Sequence, residues 1–457
     1  MTDKILIVGA GPAGIFCAEE LLKLGREDII IIDSGKPMHE RRCPQTKECN
    51  CPRCDILEGG GGAGGFSDGK MTLSLNRGTQ TELIFSVEHE SILDEIDEVM
   101  VEHGGEGIWY NPVGEPPEEF LRAGFRFDSY PLRHFGSDGA QRMIKNQIAS
   151  LQQRGVKFEF HKIADRIIRN FEGRAVGIVA VDGTMIMAGH IVIATGLQGT
   201  PWLEAEAERI GIELTPGPAG IGMRLETAKE NLAGIFEIFY DFKLELDCPI
   251  GTLRSFCCNR EGYIVNENHQ SLMIRNVNGH SNLSPKLRSN SSNFAIIAKV
   301  EAAQTYPFSP QEWVRKVAKD INTANSGRTV SQFALDFLTG EPSDAKALNK
   351  NPVRTNTQSA TGTDISGIMP PELRRSFRKF LVAMDTALDH GLGASAVVYA
   401  PEIKYYASRF PIDENWKSLG ADGLYVVGNA SGYLDSYVAA AVSGVIAARD
   451  IVEHEVL

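Results

Sequence analysis

A chain of 457 residues is too long for one compact core, so two lobes are expected. The apolar fraction of 42% and charged fraction of 23% are those of a globular protein, and the formal net charge of −13 argues against a nucleic acid or an anionic membrane as partner. No run of about 18 apolar residues occurs and the first apolar run, Ile5 to Val8, is too short for a signal-peptide core, so a cytoplasmic location is the default expectation.

Lys4 to Val8 reads as a buried parallel strand, Pro12 to Leu24 as a helix ended by Gly25, and Asp28 to Ile32 as a second strand, making one βαβ unit. The turn inside it, Gly9-Ala10-Gly11-Pro12-Ala13-Gly14, is a G-x-G-x-x-G that follows a strand and opens a helix, with Asp33 standing 19 residues after Gly14. Gly9 allows the tight turn, Gly11 keeps a side chain away from a pyrophosphate, and Gly14 lets helix and strand pack closely. The phosphates would meet free N–H groups at the helix N-terminus, and Asp33 would accept from ribose hydroxyls. An irregular stretch follows, with a cysteine-rich loop over 40–58 and a glycine-rich loop from Gly59 to Lys70.

Apolar spacing then predicts helices over 81–102 and 138–154. Short alternating runs from Val156 to Met187, broken at Asn170–Gly173 and Asp182–Gly183, predict a three-stranded antiparallel meander. It returns the chain to an apolar strand, Ile191 to Ala194, ending at Thr195-Gly196. Residues 371–390 form an amphipathic helix; Leu424 to Val427 is a strand, followed by a Gly-Asn turn and a helix over 438–452. The expected fold class is α/β: a Rossmann-like dinucleotide domain with a β-meander, built from residues 1–204 and 366–457, and an inserted α+β domain at 205–365.

Cys43, Cys49, Cys51 and Cys54 place four thiols within one short loop. Four thiolates complete the ligand set of one [4Fe–4S] cluster or one structural zinc, and prolines at 44 and 52 suit a cluster loop. A redox dithiol, or thiols with no ligand, are the alternatives.

Three further stretches bear on which dinucleotide is bound. The meander followed by Ile191-Val192-Ile193-Ala194-Thr195-Gly196 resembles the "ATG" strand end of FAD-dependent two-dinucleotide-fold families. Leu424 to Ala430 resembles the "G-D" element that contacts the ribityl chain, with Gly428 matching and Asn429 standing where the aspartate is usual. The loop containing Ser67, Gly69 and Lys70 occupies the place of a second phosphate- and flavin-contacting loop. Asp435, in the next turn, is a candidate to supply the charge that Asn429 lacks.

Together with Gly136-Ser137-Asp138, Ile221-Gly222-Met223-Arg224-Leu225-Glu226, Leu253-Arg254-Ser255-Phe256-Cys257 and Asn293-Phe294-Ala295, these motifs resemble a family of bacterial FAD-dependent dehydrogenases, NAD(P)/FAD-dependent oxidoreductases, over nearly the whole chain. The resemblance implies bound FAD and an oxidoreductase; the family's reactions are largely unassigned. Tyr433, Leu434 and Asp435 depart from its usual small or basic residues and point to a specialised pocket.

A flavoprotein needs residues that present a small organic substrate to flavin N5 and handle a proton. The candidates are His134, before a glycine-flanked helix start, Tyr433, on the turn facing the flavin, and Arg254, as a carboxylate binder. Arg224 and His280 are weaker candidates, and Asp138 reads as a helix cap. A flavin monooxygenase, a non-catalytic flavin scaffold or an electron-transfer module remain as rivals. No second G-x-G-x-x-G follows a strand, so electrons are expected from the substrate, or from a redox partner protein through the cysteine loop, rather than from a nicotinamide domain.

Overall fold

Alternation along the first strand decides how the layers form. In the computed structural model, which describes residues 4–43, 51, 53–77, 79, 85–112, 114–353, 364–389 and 391–453, Ile5 and Ile7 enter one core while Leu6 and Val8 enter another. A strand apolar on both faces must be covered on both. Ile29–Ile32 and His190–Ile193 follow the same rule and pair in parallel with Ile5–Val8. The complete parallel sheet has the order Leu424–Val426, His190–Ile193, Ile5–Val8, Ile29–Ile32, Lys157–Glu159. Helices Pro12–Lys23, Glu90–Gly104, Gly136–Gln153 and Tyr437–Glu453 cover one face. The other is covered by the antiparallel meander Ala164–Arg169, Ala175–Ala180, Met185–Met187 and by helix Thr200–Ile210. Each large side chain fixed this way contributes roughly 1.5–3 kcal/mol by burial. This is the expected Rossmann-like domain with its meander.

The second lobe is built on a seven-stranded antiparallel sheet, ordered Val330–Phe333, Val397–Tyr405, Ala219–Ala228, Ser291–Val300, Gly251–Asn259, Phe242–Cys248, Arg126–Ser129. Two of these strands lie outside the expected 205–365 span. Helix Pro371–Ala387 also belongs here: Leu373, Phe377, Phe380, Leu381 and Met384 pack into this lobe's core with Phe242, Phe294 and Leu225. The boundary expected at residue 366 is therefore corrected, and the chain re-enters the nucleotide lobe after the strand ending at Tyr405. The helix expected over 81–102 is observed as a turn, Val87–His89, leading into Glu90–Gly104, with 80–84 outside the described residues. Asn278 to His280 end strand Ile274–His280, which forms a hairpin with Tyr263–His269. No helix among the described residues is long and apolar enough to cross a membrane.

Candidate functional site

The first turn shows which of its glycines the protein itself requires. Gly9 has φ +115°, and a Cβ there would lie 2.3 Å from the Ala194 carbonyl oxygen. A Cβ on Gly14 would lie 2.1 Å from the Gly9 carbonyl oxygen. Gly11 is different: a Cβ there finds Gly62 Cα at 3.8 Å, an ordinary contact. Pro12 opens the helix, where a missing N–H costs nothing. Ala13 and Gly14 follow in the first turn, whose N–H groups have no intrahelical acceptor. Asp33 ends the second strand; its Oδ2 accepts from Ala10 N and its Oδ1 from Gly35 N, both at 2.8 Å. Gly9, Gly11, Pro12, Ala13, Gly14 and Asp33 are thus brought together.

The glycine-rich loop closes over this turn. Gly61 N donates to Ala10 O at 2.7 Å, and a Cβ on Gly62 would be 3.0 Å from Gly11 Cα. The loop is held from behind by Arg41. Its Nε donates to Asp55 O at 2.9 Å, Nη1 to Gly60 O at 2.6 Å and Nη2 to Ile56 O at 3.0 Å, and its guanidinium lies 4.5 Å from the Phe66 ring centre. Nothing in the sequence distinguished Arg41, because the carbonyls it gathers are brought near only by the fold. Ser67 Oγ donates to Gly64 O at 3.0 Å and accepts from Gly69 N at 3.2 Å. Gly69 abuts Gly136, whose carbonyl oxygen a Cβ would approach to 2.2 Å. Lys70 leaves the loop for the second lobe, with Nζ 2.9 Å from Asp68, 3.2 Å from Asp241 and 2.8 Å from Cys258 O. Burial alone would favour its neutral form, but the two carboxylates outweigh it and hold the ammonium protonated. Ser67 and Lys70 therefore brace the loop.

Two more segments complete the site. Thr195 Oγ1 is buried with no partner, and Gly196 follows it at the strand end. Gly428 begins a short turn with its N–H on Ser443 Oγ at 2.9 Å, and a Cβ on it would be 3.0 Å from Ala13 Cβ. The turn of Gly428 and Asn429 thus stacks on the first helix. Asp435 forms an ion pair with Lys404. The charge expected from Asp435 in place of the missing aspartate is neutralised there.

The three catalytic candidates do not converge. His134 is fully enclosed: Nε2 lies 3.1 Å from Asp68 O and 3.3 Å from Tyr240 Oη, and Tyr110 and Tyr240 stack beside it with ring centres 4.1 Å apart. A carbonyl only accepts, so Nε2 carries the proton and Nδ1 is a buried lone pair with no partner. Burial lowers its pKa to about 4. Arg254 lies on the sheet face as an ion-pair partner, 3.2 Å from Glu245 and 3.9 Å from Asp128. Tyr433 lies under Arg409, whose guanidinium carbon is 5.6 Å from the ring centre. Arg224 is fully buried, donating to Glu402 at 2.8 and 2.6 Å and to Asn293 at 2.9 Å, so it ties strands together. His280 is half-buried, with Nε2 enclosed and unpartnered and its pKa lowered by desolvation. Asp138 accepts from Leu283 N at 3.2 Å, joining the helix start to the second lobe.

One residue outside the catalytic candidates stands out. Cys257 sits on a bulge where the register shifts between Phe256 and Asn259, at φ +45°. Its side chain is exposed, yet desolvation is the main cause raising its thiol pKa. Both hold for a side chain lining an interior recess, here one whose charged neighbours are Asp68, Lys70, Lys243 and Arg224. A strained bulge of this kind is visible only once two strands are paired.

Of the expected metal ligands, Cys49 lies outside the described residues. Cys54 is buried, and burial raises its thiol pKa to about 11. Among the described residues no group of three or more His, Cys, Asp or Glu could hold a metal ion, so neither [4Fe–4S] nor zinc gains support. The cysteine loop does touch the second lobe, where Gln270 Nε2 donates to Cys51 O at 3.1 Å.

No protein-family model matches the chain. An uncharacterised protein of Clostridium beijerinckii is similar, at 22% identity over 98% of this chain and 80% of that protein. Among solved structures, glycine oxidase from Geobacillus kaustophilus aligns at 12% identity and TM-score 0.41, over 99% of this chain and 94% of that one. The halogenase PltM, solved also with FAD, aligns at 13% identity and TM-score 0.41, over 99% of this chain and 70% of that one. Scores of this size leave the functional reading to the residues.

Proposed function

We propose that the chain is an FAD-dependent oxidoreductase acting on a small organic substrate. The observation that carries this is Gly11: no atom of the protein forbids a Cβ there, whereas Gly9 and Gly14 are both required by backbone contacts. A glycine kept bare at a helix N-terminus, between Asp33 and a second glycine loop, fits a bound pyrophosphate. The unpartnered Thr195 Oγ1 fits a polar ligand passing the strand end. Gly9 to Gly14 would hold the diphosphate, Asp33 the adenosine ribose, the 61–65 backbone the phosphates from above, and Asn429 the ribityl hydroxyls. The bound flavin would supply hydride exchange at N5.

The chain's own residues prepare the site for that exchange. Arg41 fixes the carbonyls of Asp55, Ile56 and Gly60, keeping the loop in one shape before the ligand arrives. Lys70 with Asp241, and Lys404 with Asp435, join the lobes on two sides of the recess. His134, neutral at physiological pH, ties the loop to Tyr240 and keeps water from that wall. The substrate would enter between loop and sheet, near Cys257 and Phe256.

The test is direct. Purified protein should be yellow and release FAD, not FMN, on denaturation. Gly11→Val should abolish binding while leaving the fold intact by circular dichroism. Stoichiometric FAD in that variant would overturn the assignment.

A further inference from the structure

Most cations around the proposed flavin site are matched with carboxylates; Arg41 is held by backbone carbonyls instead, and Arg409 has neither among the described residues. Lys70 has Asp68 and Asp241, Lys243 has Asp241, Arg224 has Glu402, Arg254 has Glu245, Arg77 has Asp128 and Lys404 has Asp435. Arg409 has none among the described residues, and its Nε is buried without an acceptor.

Its position is fixed from both sides. Arg409 N donates to Thr215 O at 2.7 Å, and Thr215 N returns to Arg409 O at 3.2 Å. The next residue, Phe410, donates its N–H to Ser431 O at 3.0 Å. On the facing turn, a Cβ on Gly432 would lie 2.6 Å from Ser408 O and 2.7 Å from the Arg409 backbone. Arg409 is therefore laid directly on the turn that begins at Gly428, with its guanidinium over Tyr433. A ring beneath one guanidinium face leaves the N–H edge free for an in-plane anion. The same turn carries Asn429 rather than a carboxylate, and Asp435 is already neutralised by Lys404. Glu204 lies nearby, accepting from Ser408 Oγ, but no carboxylate among the described residues comes within ion-pair distance of Arg409.

We propose that Arg409, oriented by Tyr433, is an anion-binding residue of the site, taking one delocalised negative charge through its guanidinium edge. Two sources present that chemistry: the carboxylate of an organic substrate, and the N1–C2=O edge of a flavin that has gained negative charge. The proposal rests on the FAD reading, and the experiment separates the two.

Holoprotein and its Arg409→Met and Arg409→Lys variants are compared by the visible absorption of the bound flavin. Sulfite, which adds to a flavin and leaves negative charge on the ring, probes the flavin edge without turnover; benzoate probes a substrate carboxylate. Loss of one charge-assisted contact should weaken the affected probe at least about tenfold in Arg409→Met, with Arg409→Lys recovering part of it. Weakened sulfite binding assigns the charge to the flavin, and weakened benzoate binding assigns it to a substrate carboxylate; either supports the proposal. A yellow variant that binds both probes as the parent does, or a parent that binds neither, overturns it. A colourless parent protein overturns the FAD reading instead, and this proposal with it.

Discussion

Gly11 and Gly14 are two residues of one motif, yet they should fail in different ways. A methyl at Gly14 meets the Gly9 carbonyl oxygen at 2.1 Å, so Gly14→Ala should lower the denaturation midpoint whether or not flavin is present. Gly11→Ala adds a methyl in ordinary contact and should leave the apoprotein's midpoint unchanged while weakening flavin binding, as titration of apoprotein with FAD would measure. Asp33→Ala should cost about 1.5–3 kcal/mol of FAD affinity, the worth of a charge-assisted hydrogen bond, and also release the N–H groups of Ala10 and Gly35. Glu226 makes a pH prediction. It is buried, accepts from Ser291 Oγ at 2.5 Å, and burial outweighs that bond to raise its pKa to about 7. The folded state therefore keeps the proton longer than the unfolded chain. Its stabilising contribution is complete below the ordinary carboxyl pKa and is lost as pH rises through about 7. Glu226→Gln should flatten the fall in the urea midpoint between about pH 5 and about pH 8, an effect absent if the parent shows no such fall.

Elements were legible in the sequence wherever their reason was local. Unbroken apolar runs such as Ile5–Val8 and Ile29–Ile32 mark a doubly covered strand, and Asn170–Gly173 marks a meander turn through its own side-chain and backbone bonds. The periodicity of Pro371–Ala387 gave a helix with the right apolar face. It could not say which core that face would meet, because Phe242 and Phe294 come from distant strands. The antiparallel sheet gathers strands from 126 to 405, so its limits leave no local mark. Arg254 was singled out and Arg409 was not for the same cause: a guanidinium's role depends on which carboxylates the fold brings near. The Arg41 clamp is an element-scale device that follows from this. It closes the base of the segment after residue 41 onto Asp55, Ile56 and Gly60. Arg41→Met should leave buried carbonyls unpaired, open the 55–66 loop to limited proteolysis, and lower FAD affinity at least about tenfold. Unchanged protease resistance in the apoprotein would show the clamp to be dispensable.

At the scale of the molecule, one parallel sheet is present among the described residues, and every other sheet is antiparallel. Among the described residues only that sheet carries the strand–turn–helix cradle described above. Reduction of bound flavin by NADH or NADPH should accordingly be slow and fail to saturate in anaerobic stopped-flow mixing. Saturating reduction on the order of tens per second, ordinary enzyme turnover, would show that a second cofactor site exists.

The approach of the two long helices sets an order in time. Helix Tyr437–Glu453 lies against helix Pro12–Lys23 so closely that a Cβ on Gly444 would be 2.1 Å from the Ala13 carbonyl oxygen, and strand Leu424–Val426 pairs with His190–Ile193. The segment that backs the phosphate turn emerges from the ribosome more than four hundred residues after it. Throughout synthesis the nascent chain carries an open half-cradle whose apolar helix face has no partner. On the FAD reading, cofactor capture waits until helix Tyr437–Glu453 has docked.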